Sequence, residues 1–135
     1  MALFNWDSRL KTNISICDEQ HQRLIELINN LHETSRSKAD KEVLDKTLNE
    51  LINYTIYHFQ TEEELLDKYN FPYAARHKIE HAQFTNKIFD LRTRFEKGDT
   101  GITMETLSFL KDWVNDHIIG TDKNYSAFLR SKGVL

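Results

Sequence analysis

Apolar residues recur at the three- and four-residue spacing of an α-helix in four separate stretches of this chain. Such spacing places the apolar side chains on one face of each helix, where the helices can pack together. The most regular stretch runs from about Tyr73 to Lys97, and the others begin near Asp18, Asp40 and Thr103. Four amphipathic helices joined by short connections predict an all-α fold, an up-down-up-down antiparallel four-helix bundle.

Residues near the ends of these stretches are typical of helix boundaries. Asp18 and Thr103 are expected to cap the first and fourth helices. Pro72 lacks a backbone N–H, so it ends the second helix and suits the start of the third. Gly98 is expected to end the third helix.

Two further segments flank the predicted bundle. The N-terminal one is expected to be an extended arm, with apolar anchors at Trp6, Leu10, Ile14 and Ile16. After an interruption at Gly120, the sequence becomes helical in character again, which predicts a short C-terminal helix. Without repeats or linkers, one domain is expected over residues 1–135, divided into arm 1–17, bundle 18–119 and C-terminal segment 120–135.

Composition narrows the classes of function. A formal net charge of -3 gives no basic surface for nucleic acid or an anionic membrane. No signal peptide is apparent, and no apolar run approaches the roughly 20 residues of a membrane span. The single cysteine, Cys17, suits a reducing compartment and a buried structural role. We therefore expect a cytoplasmic protein without nucleic-acid or membrane partners.

Two of the helices carry paired polar residues on their inward stripes. His58 and Glu62 are four residues apart on the second helix, and His77 and His81 are four apart on the third. Four residues turn through about 400°, so each pair projects from one helix face.

The outer helices each add one histidine to the same core. His21 extends the first stripe, and His117 lies on the fourth. The remaining histidine, His32, falls at the edge of the first stripe and is predicted to lie at the surface.

A shared cation explains this set better than separate buried histidines do. One core histidine is usually hydrogen-bonded to a neighbour, but each unpartnered buried polar group costs roughly 1–3 kcal/mol, and a bare carboxylate more. Five imidazoles and one carboxylate also exceed the four ligands of a structural zinc site. They imply two metal ions and a second bridging carboxylate.

Asp122 is the candidate for that second bridge. Five residues of regular helix turn about 500°, which would leave Asp122 roughly 140° away from His117. A break or π-bulge between the two residues is therefore predicted, with Gly120 easing it.

The order H, HxxxE, HxxxH and HxxxxD on four such helices resembles the hemerythrin family, specifically its single-domain bacterial members. The likeness covers nearly the whole chain and includes Trp6, the Asp18-Glu19-Gln20-His21 opening, Pro72 and Asp122-Lys123-Asn124-Tyr125. It implies a non-haem di-iron centre. By position, one iron would be bound by His77, His81 and His117, and the other by His21 and His58. Glu62 and Asp122 would bridge the irons together with an oxo or hydroxo group.

The resemblance also implies a function. The iron with two histidines keeps one position open, where dioxygen would bind end-on, be reduced to a hydroperoxide and be released again. Nitric oxide or small anions could occupy the same position. This implies an oxygen-binding carrier or store that is not an enzyme, and a monomer.

Apolar side chains near the histidines are expected to keep the dioxygen pocket dry. The candidates are Val114, Phe59, Trp113 and Ile118. Each of them would equally suit an ordinary bundle core.

Two other classes of function remain open at this point. One is a sensor of oxygen, nitric oxide or redox state that signals to a separate partner. The other is a peroxidase-like di-iron enzyme, although no additional acid–base residue on the stripes favours it.

Overall fold

Helix-forming residues with apolar faces dictate the architecture, which a computed structural model describes for residues 3–37, 41–98 and 104–135. The four long helices are α1 (Ser15–Arg36), α2 (Lys41–Lys68), α3 (Ala74–Glu96) and α4 (Met104–Asp116). A π-helical turn (His117–Asp122) joins α4 directly to α5 (Lys123–Ser131), and a 3-10 turn (Ser8–Leu10) lies in the arm. No strand occurs in these three ranges, so the all-α prediction is confirmed.

The apolar stripes form two separate clusters. The larger one joins the middle of α1 and α2 with α3, α4 and the arm, and α1 contacts both α2 and α4. The smaller one brings Cys17 of α1 and Leu66 of α2 together with Phe71, Tyr125 and Leu129. Along α1 and α3, the predicted ligand residues fall between the members of the two clusters, whereas His58 and His117 stand next to Phe59 and Ile118 at the edge of the larger one. The bundle therefore contains a polar layer between two apolar ones. Among the described helices, none is both long and apolar enough to cross a membrane.

The first helix begins earlier than predicted, and Asp18 is not its N-cap. The N-cap is Ile14, which has no side-chain capping bond, because Ser15 already starts the helix. Asp18 instead accepts hydrogen bonds from Thr12 N (2.7 Å), Thr12 Oγ1 (2.8 Å) and Asn13 N (3.1 Å). It holds the end of the arm against the first helical turn.

The arm is partly as predicted. Leu10 and Ile14 are buried and Trp6 packs against the core, but Ile16 is 46% exposed, so its role as an anchor was wrong. Ile16 is the second residue of α1 and lies on its outer face. Phe4 is an anchor that the sequence interpretation missed; its backbone pairs with the side chain of Asn29.

His32 is buried, which contradicts its predicted surface position. The prediction assumed a single narrow stripe on α1. In the structure, adjacent pairs of residues are buried along this helix: Leu24 and Ile25, Leu27 and Ile28, Leu31 and His32. A helix that packs against two neighbours buries a wider face than one stripe.

The π-bulge predicted between His117 and Asp122 is present and spans all six residues. Gly120 does not ease it as expected. This glycine has no positive φ, and a Cβ placed there would meet nothing within 4 Å. The extra residue widens the turn, and the helix continues through Gly120 without interruption.

Other helix ends agree with the sequence where they can be compared. Gly98 follows α3 with φ 99° and donates to Phe95 O at 3.1 Å. Asn70 follows the end of α2 with φ 57°, two residues before Pro72. The expected starts at Asp40 and Thr103 lie outside the described residues.

Replacing Asp18 with alanine should destabilise the protein by about 1–3 kcal/mol, because three hydrogen bonds to the arm are lost together. Urea denaturation would measure the change, with Asp112→Ala on the exposed face of α4 as the control. If both variants lose the same stability, Asp18 does not hold the arm.

Candidate metal centre

The seven predicted ligand residues converge on one buried layer of the bundle. None is more than 7% exposed. They come from α1, α2, α3 and the π-helical turn: His21, His58, Glu62, His77, His81, His117 and Asp122. Side chains as far apart in the chain as His21 and Asp122 thus share one buried site.

Glu62 directs its two oxygens at different histidines. Oε1 lies 3.4 Å from His77 Nε2 and 3.0 Å from His81 Nε2. Oε2 lies 3.0 Å from His21 Nε2 and 3.2 Å from His58 Nε2. One carboxylate therefore contacts two groups of imidazoles.

Asp122 divides its oxygens between the same two groups. Oδ1 lies 3.2 Å from His77 Nε2 and 3.1 Å from His117 Nε2, and Oδ2 lies 3.1 Å from His21 Nε2. The π-helical turn makes this possible. In a regular helix Asp122 would point roughly 140° away from His117. The π-helical turn is wider and holds one more residue, so both side chains point to the inner face.

The geometry thus defines two groups that share both carboxylates. The three-histidine group contains His77, His81 and His117, and the two-histidine group contains His21 and His58. Candidate ligand atoms lie within 4.8 Å of one another in each of two sets, and Glu62 belongs to both sets.

The donor atoms fit a cation better than they fit each other. Both oxygens of Asp122, and Nε2 of His81 and His117, are buried without a hydrogen-bond partner among the described residues. His81 Nε2 lies 3.0 Å from Glu62 Oε1 and His117 Nε2 lies 3.1 Å from Asp122 Oδ1, yet neither nitrogen forms a hydrogen bond there. Lone pairs that converge without bonding one another suit metal ions, and imidazole with carboxylate suits iron, zinc or cobalt.

Without a cation, protons must compensate the two carboxylates. Burial alone would lower the pKa of His21, but Asp122 and Glu62 outweigh it and raise that pKa to about 10. The same balance of burial against the two carboxylates raises the pKa of His77 to about 10. Burial opposes ionisation of Asp122, yet His117 and His21 hold the pKa of this carboxyl far below its ordinary value.

A second ring of hydrogen bonds orients three of the imidazoles. The Nδ1–H of His58 donates to Gln20 Oε1 (2.8 Å). The Nδ1–H of His81 donates to Glu63 Oε2 (3.1 Å), and the Nδ1–H of His117 donates to Glu80 Oε2 (2.9 Å). With Nδ1 carrying the proton, Nε2 of each ring is free to bind a metal ion.

Sequence interpretation missed these outer partners, and it also missed Tyr125. The Tyr125 hydroxyl donates to Glu62 Oε2 at 2.7 Å, within the small apolar cluster that includes Cys17. The sequence does carry a signal for Tyr125, because a residue three positions after Asp122 lies on the same face of a helix. Cys17 is buried as expected, and burial, together with the charge of Glu62, raises the pKa of its thiol.

The predicted pocket residues all lie in the large apolar cluster or against it. Val114, Ile118 and Phe59 are buried, and Trp113 is partly buried. The Phe59 ring stacks on His81 with centroids 3.8 Å apart, and Trp113 stacks on His117 at 4.4 Å. These two aromatic rings therefore cover two imidazoles of the three-histidine group.

In the metal-free protein, raising the pH from about 6.5 to 8.5 should lower the free energy of unfolding. His21 and His77 have a folded pKa of about 10 against an ordinary 6.5, so their stabilising protons are fully effective below 6.5 and are lost as the pH rises towards 10. Each proton contributes a slope of about 1.4 kcal/mol per pH unit in that window. Urea denaturation would measure it. The metal-loaded protein is the control, since a cation replaces these protons, and equal slopes in the two forms would contradict the prediction.

The chain is similar to known proteins over nearly its whole length. Residues 12–129 match the family model described as hemerythrin HHE cation binding domain. The chain is 34% identical over 126 residues to a bacteriohemerythrin of Stenotrophomonas maltophilia (strain R551-3), covering 93% of this chain and 81% of that protein. It is 32% identical over 130 residues to a bacteriohemerythrin of Methylococcus capsulatus (strain ATCC 33009 / NCIMB 11132 / Bath), covering 96% and 98%. The crystal structure of a wild-type hemerythrin is similar with a TM-score of 0.89 at 32% identity, covering 95% of this chain and 98% of that one. The chain therefore belongs to the hemerythrin family.

Proposed function

We propose that this chain binds dioxygen reversibly at a non-haem di-iron centre, as a carrier or store and not as an enzyme. The observation that carries the proposal is the division of each buried carboxylate between the two histidine groups. Glu62 and Asp122 each turn one oxygen towards the three-histidine group and the other towards the two-histidine group. A pair of carboxylates shared in this way suits two adjacent metal ions.

The donor count then gives each iron a different role. His77, His81 and His117 would hold one iron, and His21 and His58 the other. Both would share Glu62, Asp122 and an oxo or hydroxo bridge. The first iron would have six donors and the second only five, which leaves one position for dioxygen to bind end-on.

The ligand set favours binding over oxidation. The iron pair would supply the two electrons that reversible uptake of dioxygen requires. Di-iron oxygenases on four-helix bundles use glutamate-rich sites, whereas this site offers five neutral imidazoles and only two carboxylates. Fewer anionic oxygen ligands make high-valent iron less accessible, so bound dioxygen is expected to leave unchanged.

The surrounding residues contribute by excluding water. Val114, Ile118 and Phe59 are buried in the large apolar cluster, which adjoins the polar layer. A dry wall slows the loss of reduced oxygen species to solvent. This property distinguishes a carrier from a site that oxidises irreversibly.

Iron content and a visible spectrum, cycled between argon and air after reduction, would test the proposal. We expect about two irons per chain and a coloured band that appears and disappears reversibly. Asp122→Asn should lose most of the band, because the amide offers one neutral carbonyl oxygen and an NH2 group, which cannot bind a second metal ion. Glu64→Gln, a substitution at an exposed position of α2, is the matched control. Absence of iron would overturn the proposal, and prompt irreversible oxidation would favour a sensor or an enzyme instead.

Replacing Val114 with threonine should speed autoxidation several-fold, because a hydroxyl of nearly the same volume admits water to the apolar wall. The decay of the oxygenated spectrum in air would measure the rate. Val43→Thr on exposed α2 surface serves as the control. An unchanged rate in Val114→Thr would remove Val114 from the dioxygen pocket.

A further inference from the structure

The two histidine groups differ in the charge of their outer hydrogen-bond partners. In the three-histidine group, His81 donates to Glu63 and His117 donates to Glu80, and both partners are carboxylates. In the two-histidine group, His58 donates to the neutral amide of Gln20. His21 and His77, one from each group, have no Nδ1 partner among the described residues, so they leave this difference unchanged.

Neighbouring contacts fix the neutral character of the two-histidine side. Gln20 is 4% exposed, and its Nε2 donates to Thr61 Oγ1 at 3.3 Å, which turns the carbonyl oxygen towards His58. Tyr125 donates to Glu62 Oε2, the carboxylate oxygen that faces His21 and His58. This hydroxyl draws electron density away from the same side.

A carboxylate that accepts from a ligand imidazole increases the electron donation of that imidazole to a metal ion. A neutral amide does so less, and a hydroxyl that donates to a ligand oxygen has the opposite effect. Two carboxylates therefore increase electron donation in the three-histidine group, while an amide and a hydroxyl leave it lower in the two-histidine group. All four contacts enlarge the same difference between the two groups.

We propose that Glu63 and Glu80 are positioning residues that make an iron in the three-histidine group the easier of the two to oxidise, while Gln20 and Tyr125 keep the other iron harder to oxidise. The inference rests on the proposed di-iron centre. Its consequence is that electrons leave the two irons in separate steps. The iron with the open position is the one that holds its electron longer.

The outer carboxylates can be changed without opening the core. The side chains of Glu63 and Glu80 are 30% and 26% exposed, so an amide can replace each carboxylate at the rim of the site. The matched control is Glu64→Gln on the exposed surface of α2. It removes the same charge next to Glu63, and Glu64 contacts no histidine in the described part of the chain.

A redox titration of the iron-loaded protein, followed by its visible and electron paramagnetic resonance spectra, would test the inference. Two one-electron steps are expected. Glu63→Gln and Glu80→Gln should shift the lower-potential step to more positive potential, and the double variant should shift it further. Gln20→Glu and Tyr125→Phe should shift the higher-potential step to more negative potential. Glu64→Gln should change the potential of each step only by the small long-range effect of removing one surface charge.

The outcomes separate this inference from the function that it deepens. Shifts of opposite sign on different steps would support it. Two bound irons whose potentials respond to Glu63→Gln and Glu80→Gln no more than to Glu64→Gln would overturn it and leave the di-iron proposal intact. Equal movement of both steps would also overturn it. A wild-type protein that binds no iron would overturn both proposals.

Discussion

Two carboxylates buried between four helices impose the constraint on which the rest of this protein depends. Glu62 and Asp122 are at most 1% exposed, and a charge removed from water must be compensated by hydrogen bonds, protons or cations. The structure surrounds them with five imidazoles. The apolar clusters above and below this layer keep water out, which strengthens the electrostatic interactions within it.

Much of this arrangement could be predicted from sequence because helical periodicity carries direct information about faces. Residues four apart must share a side of a helix, so the pairs on α2 and α3 could be placed before any coordinates. Asp122 could be placed by the opposite argument, since its spacing from His117 does not suit a regular helix. A candidate ligand at a spacing that does not suit a regular helix predicts a bulge, and the structure has that bulge.

The failures arise where the outcome depends on contacts between elements. Asp18 has the chemistry of an N-cap, but the chain before it already turns, and its carboxylate binds the arm instead. His32 is covered because α1 packs on two neighbours. Glu63 and Glu80 stand next to predicted ligands in sequence yet reach histidines on other helices. Such pairings depend on how the helices are rotated and spaced, and one helical period does not specify that.

The π-helical turn has a further consequence for how this sequence can vary. The wider turn takes up the one additional residue between His117 and Asp122, so both side chains stay on the inner face. Deleting one residue between them would leave the two residues four apart, a spacing that a regular helix already places on one face. Asp122 would then remain in the core, and Tyr125 would remain beside Glu62. The π-helical turn and a regular turn one residue shorter are therefore two solutions for placing the same candidate ligands, and the side chain at the exposed position 120 is free to vary.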